Sequence, residues 1–597
     1  MKILAISDSH ESAASVMVDG ELICAAAEER FSRLKAFIGF PSGAIDFCLK
    51  YTGLKGNDFD VIVIPSKFLN YNINRFKREA LFTTDDWLKE MYYYWEPKLY
   101  HGENPDYVEL FKDDPKFRYD SPYNFERILK MKGNLHDNFY LERVRALSEY
   151  LNVSGKKISY VTHEHAHAYY AYFGSAIRGK ALIFTAEGGG EYSNGTVWQA
   201  DDNMELKQIS HNKENHLGHL YRYITLLLGM KPNQHEYKVM GLAPYANFKE
   251  VERSYRKLCN FFDVDGMDVI VKDKPKDLYI AVRKMLEGHR FDGIAGAVQR
   301  VTEEILCKWV SSVTKITGKN KICFSGGVAQ NIKACKTISE LPSAMEMMVN
   351  PAAGDGSLSI GAAYIMMSRY CNDNGIDKSI IKPIDNIYLG PEYSESEVKR
   401  AIEKADLKSK YEIVSSPSRD WVAKCLASDK IIARMSGRME FGQRSLGNRS
   451  IIADPSNPMN IQKINRQIKF RDFWMPFTPT ILAEREIDYI ENSKKLKSPF
   501  MTMAFNSTEL ARRELVSALH PADYTVRPQL LKRESNPGYY DLIKSFESKT
   551  GIGGLLNTSL NLHGEPMVCS PEDAIHTFIN SDLDVLLFDD SIAVTRS

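Results

Sequence analysis

The chain opens on an apolar run, Ile3-Leu4-Ala5-Ile6-Ser7, too short for a helix, that reads as a buried strand. Residues 15–27 are again strand-like. They are broken at Asp19-Gly20, a dipeptide that favours a tight hairpin turn, which predicts strands around Val16-Met17-Val18 and Leu22-Ile23-Cys24. Strand patterns return at 158–161, at Ala181-Leu182-Ile183-Phe184-Thr185, at Gly195-Thr196-Val197-Trp198 and at Ile322-Cys323-Phe324. Glycine-rich turns accompany them: Ala186-Glu187-Gly188-Gly189-Gly190-Glu191, then Ser325-Gly326-Gly327-Val328-Ala329-Gln330-Asn331, then Pro351-Ala352-Ala353-Gly354-Asp355-Gly356-Ser357. Glycine lets backbone amides come close to phosphate oxygens, so three such turns in one region suggest a nucleotide cleft. No GxxxxGK[ST] phosphate loop is present.

Residues 66–150 break this pattern. They are rich in Tyr, Phe, Trp, Lys and Asp, as in Met91-Tyr92-Tyr93-Tyr94-Trp95, and are predicted as a mainly helical insertion. It is either a packing lid or a surface for an acceptor. Residues 372–390 carry Asn, Asp, Gly and Pro and read as a linker. Beyond it, Gly437–Ser450 sets Arg438, Arg444 and Arg449 among glycines, followed by Lys469-Phe470-Arg471, Arg527 and Asn557-Thr558-Ser559-Leu560-Asn561. Guanidinium forks and hydroxyls suit phosphate; surface salt bridges are the alternative.

At 597 residues the chain calls for more than one core. With 77 Lys+Arg against 77 Asp+Glu, bulk charge gives no reason to expect nucleic-acid or membrane binding. The apolar runs are far short of a membrane span. Nine scattered cysteines without CxxC spacing suit reduced thiols in a cytoplasm.

The sharpest chemical signal is His163-Glu164-His165-Ala166-His167. On a helix, positions i and i+4 share a face, so His163 and His167 can meet one ion while His165 points elsewhere. Two imidazoles suit zinc or iron, and the usual third ligand is a carboxylate from a distant part of the chain. A histidine-rich helix start without metal is the competing reading. Asp8 and His10 lie in the first turn, in what reads as a phosphate-facing loop, and Arg30 and Arg33 suit an anionic ligand or a solvated face.

Several long motifs, in order, resemble the O-carbamoyltransferase family of nodulation-factor and antibiotic-tailoring enzymes. They are Asp8-Ser9-His10, Glu28–Arg33, Leu217-Gly218-His219-Leu220-Tyr221, Glu236–Tyr245, Ser325–Asn331, Gly437–Ser450, Ile468–Arg471 and Asn557–Asn561 with Gly564-Glu565-Pro566. The resemblance covers nearly the whole chain. It implies an α/β protein with an actin-like ATPase-fold domain at about 1–375, carrying the 66–150 insertion, and a YrdC-like α/β domain at 391–597.

The second domain would form carbamoyl adenylate from carbamoyl phosphate and ATP. The first would pass the carbamoyl group to a hydroxyl of a sugar, a natural product or a modified nucleotide. The implied metal ligands are His163, His167 and Asp355, for Fe2+ first, with Zn2+ or Mg2+ as alternatives. Implied phosphate contacts are Arg444, Lys469, Arg527 and Ser559, with Arg438 and Arg449 nearby; Gly326, Gly327 and Asn331 are the nucleotide-loop positions of the first domain. His10, with Asp8 beside it, is the candidate for the hydroxyl proton, since imidazole titrates near neutrality. No membrane partner is expected, and a homodimer is compatible with the chain.

Four positions depart from the family pattern: Glu164 where a second histidine is usual, Glu187 and Glu11 where Asp is common, and Asp523-Tyr524-Thr525 where a middle glycine is common. An ATP-dependent kinase of the actin-like superfamily would also explain the glycine turns, but not the arginine-rich block or the histidine pair.

Overall fold

The structure is a computed structural model describing residues 1–469 and 471–596; Phe470, within the Lys469-Phe470-Arg471 motif, lies outside the described residues. The chain divides into two compact units, Met1–Ile384 and Asp385–Ser597.

In the first unit, β1 (Lys2–Ser7), β2 (Ala13–Val18) and β3 (Glu21–Ala27) form an antiparallel meander. The turn at Asp19-Gly20 has φ of 48° and 87°, the left-handed pair that a two-residue hairpin turn demands. β4 (Val61–Ile64) pairs in parallel with β1, and β5 (Ile158–Tyr160) in parallel with β4, giving the order β3-β2-β1-β4-β5.

The same pattern then recurs. β6 (Ala181–Ala186), β7 (Gly195–Ala200) and β8 (Leu206–Asn212) form the second meander. After a separate hairpin of β9 (Phe262–Asp265) and β10 (Asp268–Val271), β11 (Lys321–Ser325) and β12 (Glu346–Val349) add in parallel beside β6. The order is β12-β11-β6-β7-β8. The strand order of the first sheet is thus repeated in the second.

Parallel strands buried on both faces need nearly continuous apolar runs. β4, Val-Ile-Val-Ile, and β6, Ala-Leu-Ile-Phe-Thr-Ala, are buried throughout. A helix follows the last strand of each repeat: His163–Phe173 after β5, and Leu358–Asn374 after β12. The two helices pack together, and at their crossing a Cβ on Gly361 would overlap the Ala166 carbonyl.

Between β4 and β5 the chain forms short helices, two π-helical turns (Met91–Trp95 and Pro97–His101) and a long helix, Leu135–Leu151. Many aromatics of this segment are core. Phe76, Phe82, Trp87, Tyr107, Phe111 and Phe117 pack with Leu226, Tyr279 and Ile280. The Tyr92 hydroxyl meets that of Tyr279 at 3.2 Å, and Trp95 donates to Glu90, whereas Tyr93 is 63% exposed.

The second unit is one mixed eight-stranded sheet. Its strands are β13 (Glu412–Ser415), β14 (Ile432–Met435), β15 (Arg449–Ala453), β16 (Thr478–Leu482), β19 (Gln529–Leu531), β20 (Gly554–Ser559), β21 (Val585–Phe588) and β22 (Ile592–Thr595). The order is β13-β22-β21-β14-β15-β20-β16-β19, and β17 (Ile490–Glu491) with β18 (Asn506–Ser507) pairs separately. Its core gathers Leu407, Ile451, Leu556, Phe578 and Leu586. Both units are mixed α/β. Among the described residues no helix is long and apolar enough to cross a membrane.

Candidate metal centre and anion site

The histidine pair begins its helix one turn past β5, and the helical repeat brings the two Nε2 atoms to 3.2 Å from each other. Asp355 Oδ1 lies 3.6 Å from His163 Nε2 and 3.5 Å from His167 Nε2. A fourth donor joins them: Glu187, the first residue after β6, stands 2.8 Å from His167 Nε2. These four side chains offer ligand atoms all within 4.8 Å of one another. Metal–ligand bonds of about 2.0–2.1 Å arranged tetrahedrally put donors about 3.3 Å apart, so the set fits one divalent ion.

Electrostatics agree with that fit. Burial alone would depress His167, but the Glu187 and Asp355 carboxylates outweigh it and push it up to about 10. Burial would raise Asp355, and His163 with His167 and His10 instead hold it below the usual carboxylate range. The two carboxylates thus favour positive charge at the centre. His165 packs its ring against Trp198 and takes no part.

Gly326 and Gly327 support the carboxylate. Gly326 has φ of 98°, and a Cβ there would overlap Ala186 O and Glu187 Oε1; Gly327 N–H donates to Glu187 Oε2 at 3.2 Å. Asn331 caps the helix Ile332–Glu340 by accepting from Ala334 N–H, and exchanges amide hydrogen bonds with Gln299.

His10 is half-buried, and its Nε2 is enclosed with no hydrogen-bond partner among the described residues. Asp8 is 1% exposed. Its carboxylate accepts a fork from Arg143 at 2.6 and 2.7 Å and a bond from the Tyr123 hydroxyl at 2.5 Å. Asp8 therefore holds its turn in place, and His10 keeps the open nitrogen. Arg30 is buried and pairs with Glu29 at 2.8 Å.

In the second unit the arginines part company. Arg449 is fully buried, and its guanidinium donates to the carbonyls of Ser436, Gly437, Asn448, Pro391 and Cys569. It braces the loop it belongs to rather than facing a phosphate. Arg438 donates to Leu389 and Gly390 carbonyls. Lys469 Nζ donates to Ser559 Oγ at 3.3 Å and Asn561 Oδ1 at 2.6 Å. Arg527 differs: its Nε is buried without a hydrogen-bond partner among the described residues. Burial first, then the positive charges of Arg444 and Arg471, push it well below the usual arginine range. Arg471 itself donates to Asn465 Oδ1 at 3.2 Å and to the Pro476 carbonyl at 3.4 Å, and positive charge gathered around Arg527 can attract an anion.

Sequence reasoning missed Glu187 as a ligand, Arg143 and Tyr123 as partners of Asp8, and Glu440. Glu440 is 1% exposed and accepts the N–H groups of Leu446, Asn448 and Arg449, shaping the arginine loop. Only Glu187 had left a signal, as a carboxylate in a glycine turn.

The family described as "Carbamoyltransferase N-terminus" matches residues 2–364, and "Carbamoyltransferase C-terminus" matches residues 423–595. An uncharacterized protein of Methanocaldococcus jannaschii is 30% identical over 98% of this chain and 98% of its own length. Another, of Synechocystis sp., is 29% identical over 98% of this chain and 95% of its own. Nodulation protein NolNO of Sinorhizobium fredii is 28% identical over 97% of this chain and 78% of its own. With family matches in both units and relatives aligned along nearly its whole length, the chain belongs to the carbamoyltransferase family of enzymes.

Proposed function

We propose that the chain is an ATP- and carbamoyl-phosphate-dependent O-carbamoyltransferase whose second unit, a YrdC-like domain, makes carbamoyl adenylate. The observation that carries this reading is the buried, unpartnered Nε of Arg527 beside Arg444 and Arg471. Water cleaves carbamoyl phosphate to carbamate and inorganic phosphate; a carbamate oxygen then attacks the α-phosphorus of ATP, the P–O bond between the α- and β-phosphates breaks, and pyrophosphate leaves. Two anions must meet in that step, and the convergent guanidinium groups lower their repulsion. Lys469 and Ser559, which now share Asn561 Oδ1, would exchange those bonds for phosphate oxygens when the substrates bind.

The first unit carries the transfer. The acceptor hydroxyl oxygen attacks the carbamoyl carbon, AMP leaves, and the hydroxyl proton passes to His10 Nε2. Gly326 and Gly327 let the nucleotide-loop backbone approach closely, and Asn331 anchors the end of that loop. His163, His167, Glu187 and Asp355 would hold a divalent ion, Fe2+ or Zn2+ by its donor set, which supplies positive charge for a carbonyl or phosphate oxygen. The acceptor is a small molecule or a nucleotide bearing a hydroxyl.

The test is a product analysis with ATP, carbamoyl phosphate and pooled hydroxyl compounds. Carbamoyl-phosphate-dependent pyrophosphate, with mass spectrometry showing one carbamoyl group gained by a pool member, supports the reading. ADP as the nucleotide product would instead return the chain to the kinase reading.

A further inference from the structure

Three residues after β4, Ser66, Lys67 and Phe68, are gripped from two sides. Arg143, on the long helix of the insertion and fully buried, donates through Nη1 to the carbonyls of Ser66 at 2.9 Å and Lys67 at 3.1 Å. The other two nitrogens of the same guanidinium hold Asp8. Glu191, in the triple-glycine turn, accepts from the N–H groups of Lys67 at 3.0 Å and Phe68 at 2.9 Å through Oε1. Its Oε2 accepts from His163 N–H at 3.2 Å. The turn is locked in return: Glu164, next to the first histidine, accepts from the N–H groups of Tyr192 and Ser193 at 2.5 and 2.9 Å.

A continuous hydrogen-bonded chain therefore runs Asp8, Arg143, backbone 66–68, Glu191, His163. It joins the turn bearing His10 to the helix bearing two metal donors, by way of the strand end from which the insertion departs. A buried guanidinium and carboxylate contribute little net stability compared with apolar replacements, so holding the fold together does not explain this choice of residues. Fixing relative position does, because every bond in the chain is directional and a charged group is shared at both joints.

We propose that Arg143 and Glu191 are positioning residues that couple the His10 turn to the metal centre. This rests on the reading above only in taking the four-donor cluster as a metal site. Neither residue needs to touch substrate. Outer partners of metal ligands typically change metal affinity about 10- to 100-fold when removed.

The whole 597-residue chain is the material, Zn2+ alone the probe, and chelator competition with amide hydrogen exchange the readouts. Glu191→Ala should weaken Zn2+ binding about tenfold and speed exchange at residues 8–11 as well as at His163. Glu191→Gln should fall between it and wild type, since its one carbonyl oxygen can replace only one of the two carboxylate oxygens. Arg143→Lys keeps the charge but loses the fork. It should weaken Zn2+ about threefold although it touches no metal donor. Combined with Glu191→Ala it should weaken Zn2+ less than the product of the two single effects.

Wild-type Zn2+ affinity in Glu191→Ala, or independent effects in the double variant, would overturn the coupling. Should Arg143→Lys fail to fold, the graded Glu191 pair decides alone. Should the wild type bind no Zn2+, the metal reading fails separately, and exchange at residues 8–11 in Glu191→Ala still decides the linkage. Pyrophosphate release plays no part in this test, so failure of the adenylation reading leaves it standing.

Discussion

Arg444 and Arg471 add positive charge around the buried Arg527, and the anion proposed above would turn that repulsion into binding. Removing one such contact from a developing phosphate charge typically costs 10²- to 10³-fold in rate. Arg444→Ala should therefore lower carbamoyl-phosphate-dependent pyrophosphate release by about 10²-fold with an unchanged melting curve. Retention of full release would remove the assignment. Glu28 offers a prediction of a different kind. It is 4% exposed, accepts from Gly43 and Ala44 N–H at the start of the helix Ser42–Thr52, and burial pushes it up from the ordinary 4.5 to about 7. A raised folded-state value means stability that is present below pH 4.5 and is lost as pH rises through about 7. Wild type should lose up to about 3 kcal/mol relative to Glu28→Gln across that window. Urea titrations of both proteins at several pH values measure this; parallel curves would refute it.

Elements decide what the residue list could reveal. His163 and His167 were legible because a helix repeats every 3.6 residues and needs no partner to align i with i+4. Asp355 came from family resemblance, and the crossing of its helix with the histidine helix at Gly361 and Ala166 explains how it arrives. Glu187 was visible as a carboxylate in a glycine turn, but its direction depends on β6 and β11 lying side by side, which no local pattern encodes. Arg143 lies on a helix within an insertion whose packing is non-local, so nothing in its neighbourhood announces Asp8. The strands were the easier part: the Asp19-Gly20 hairpin and the buried run of β6 follow from turn chemistry and burial, whereas the four-residue β4 was not read from the sequence. The aromatic insertion shows the opposite case. Composition alone could not separate stacking surface from core, and the fold puts Trp87 at 2% exposure and Tyr93 at 63%. Trp87→Ala should cost about 3–5 kcal/mol. Tyr93→Ala should leave stability within about 0.5 kcal/mol and, if this face meets the acceptor, raise only the acceptor's KM. Melting curves with steady-state kinetics separate the two, and equal destabilisation would show that Tyr93 is also core.

Across the whole molecule, two units invite a separation of chemistry. His10→Ala should spare pyrophosphate release and impair carbamoyl delivery, since His10 belongs to residues 1–384 and the arginine cluster to 385–597. Equal loss of both activities would argue for one shared site. The doubled sheet of the first unit carries a further consequence. β1 corresponds to β6 and β5 to β12. Asp8 and Glu187 are then counterparts, each the first residue past its strand, and the histidine helix is the counterpart of the helix that follows Asp355. The four donors divide evenly, two from each half of the repeat. An ion held there is a clasp across an internal seam. Saturating Zn2+, at about 100 times its Kd, should stabilise the 1–384 unit by about 2.7 kcal/mol and slow exchange in both helices together, leaving 385–597 untouched. Protection of one helix without the other would mean that the seam is closed by packing alone.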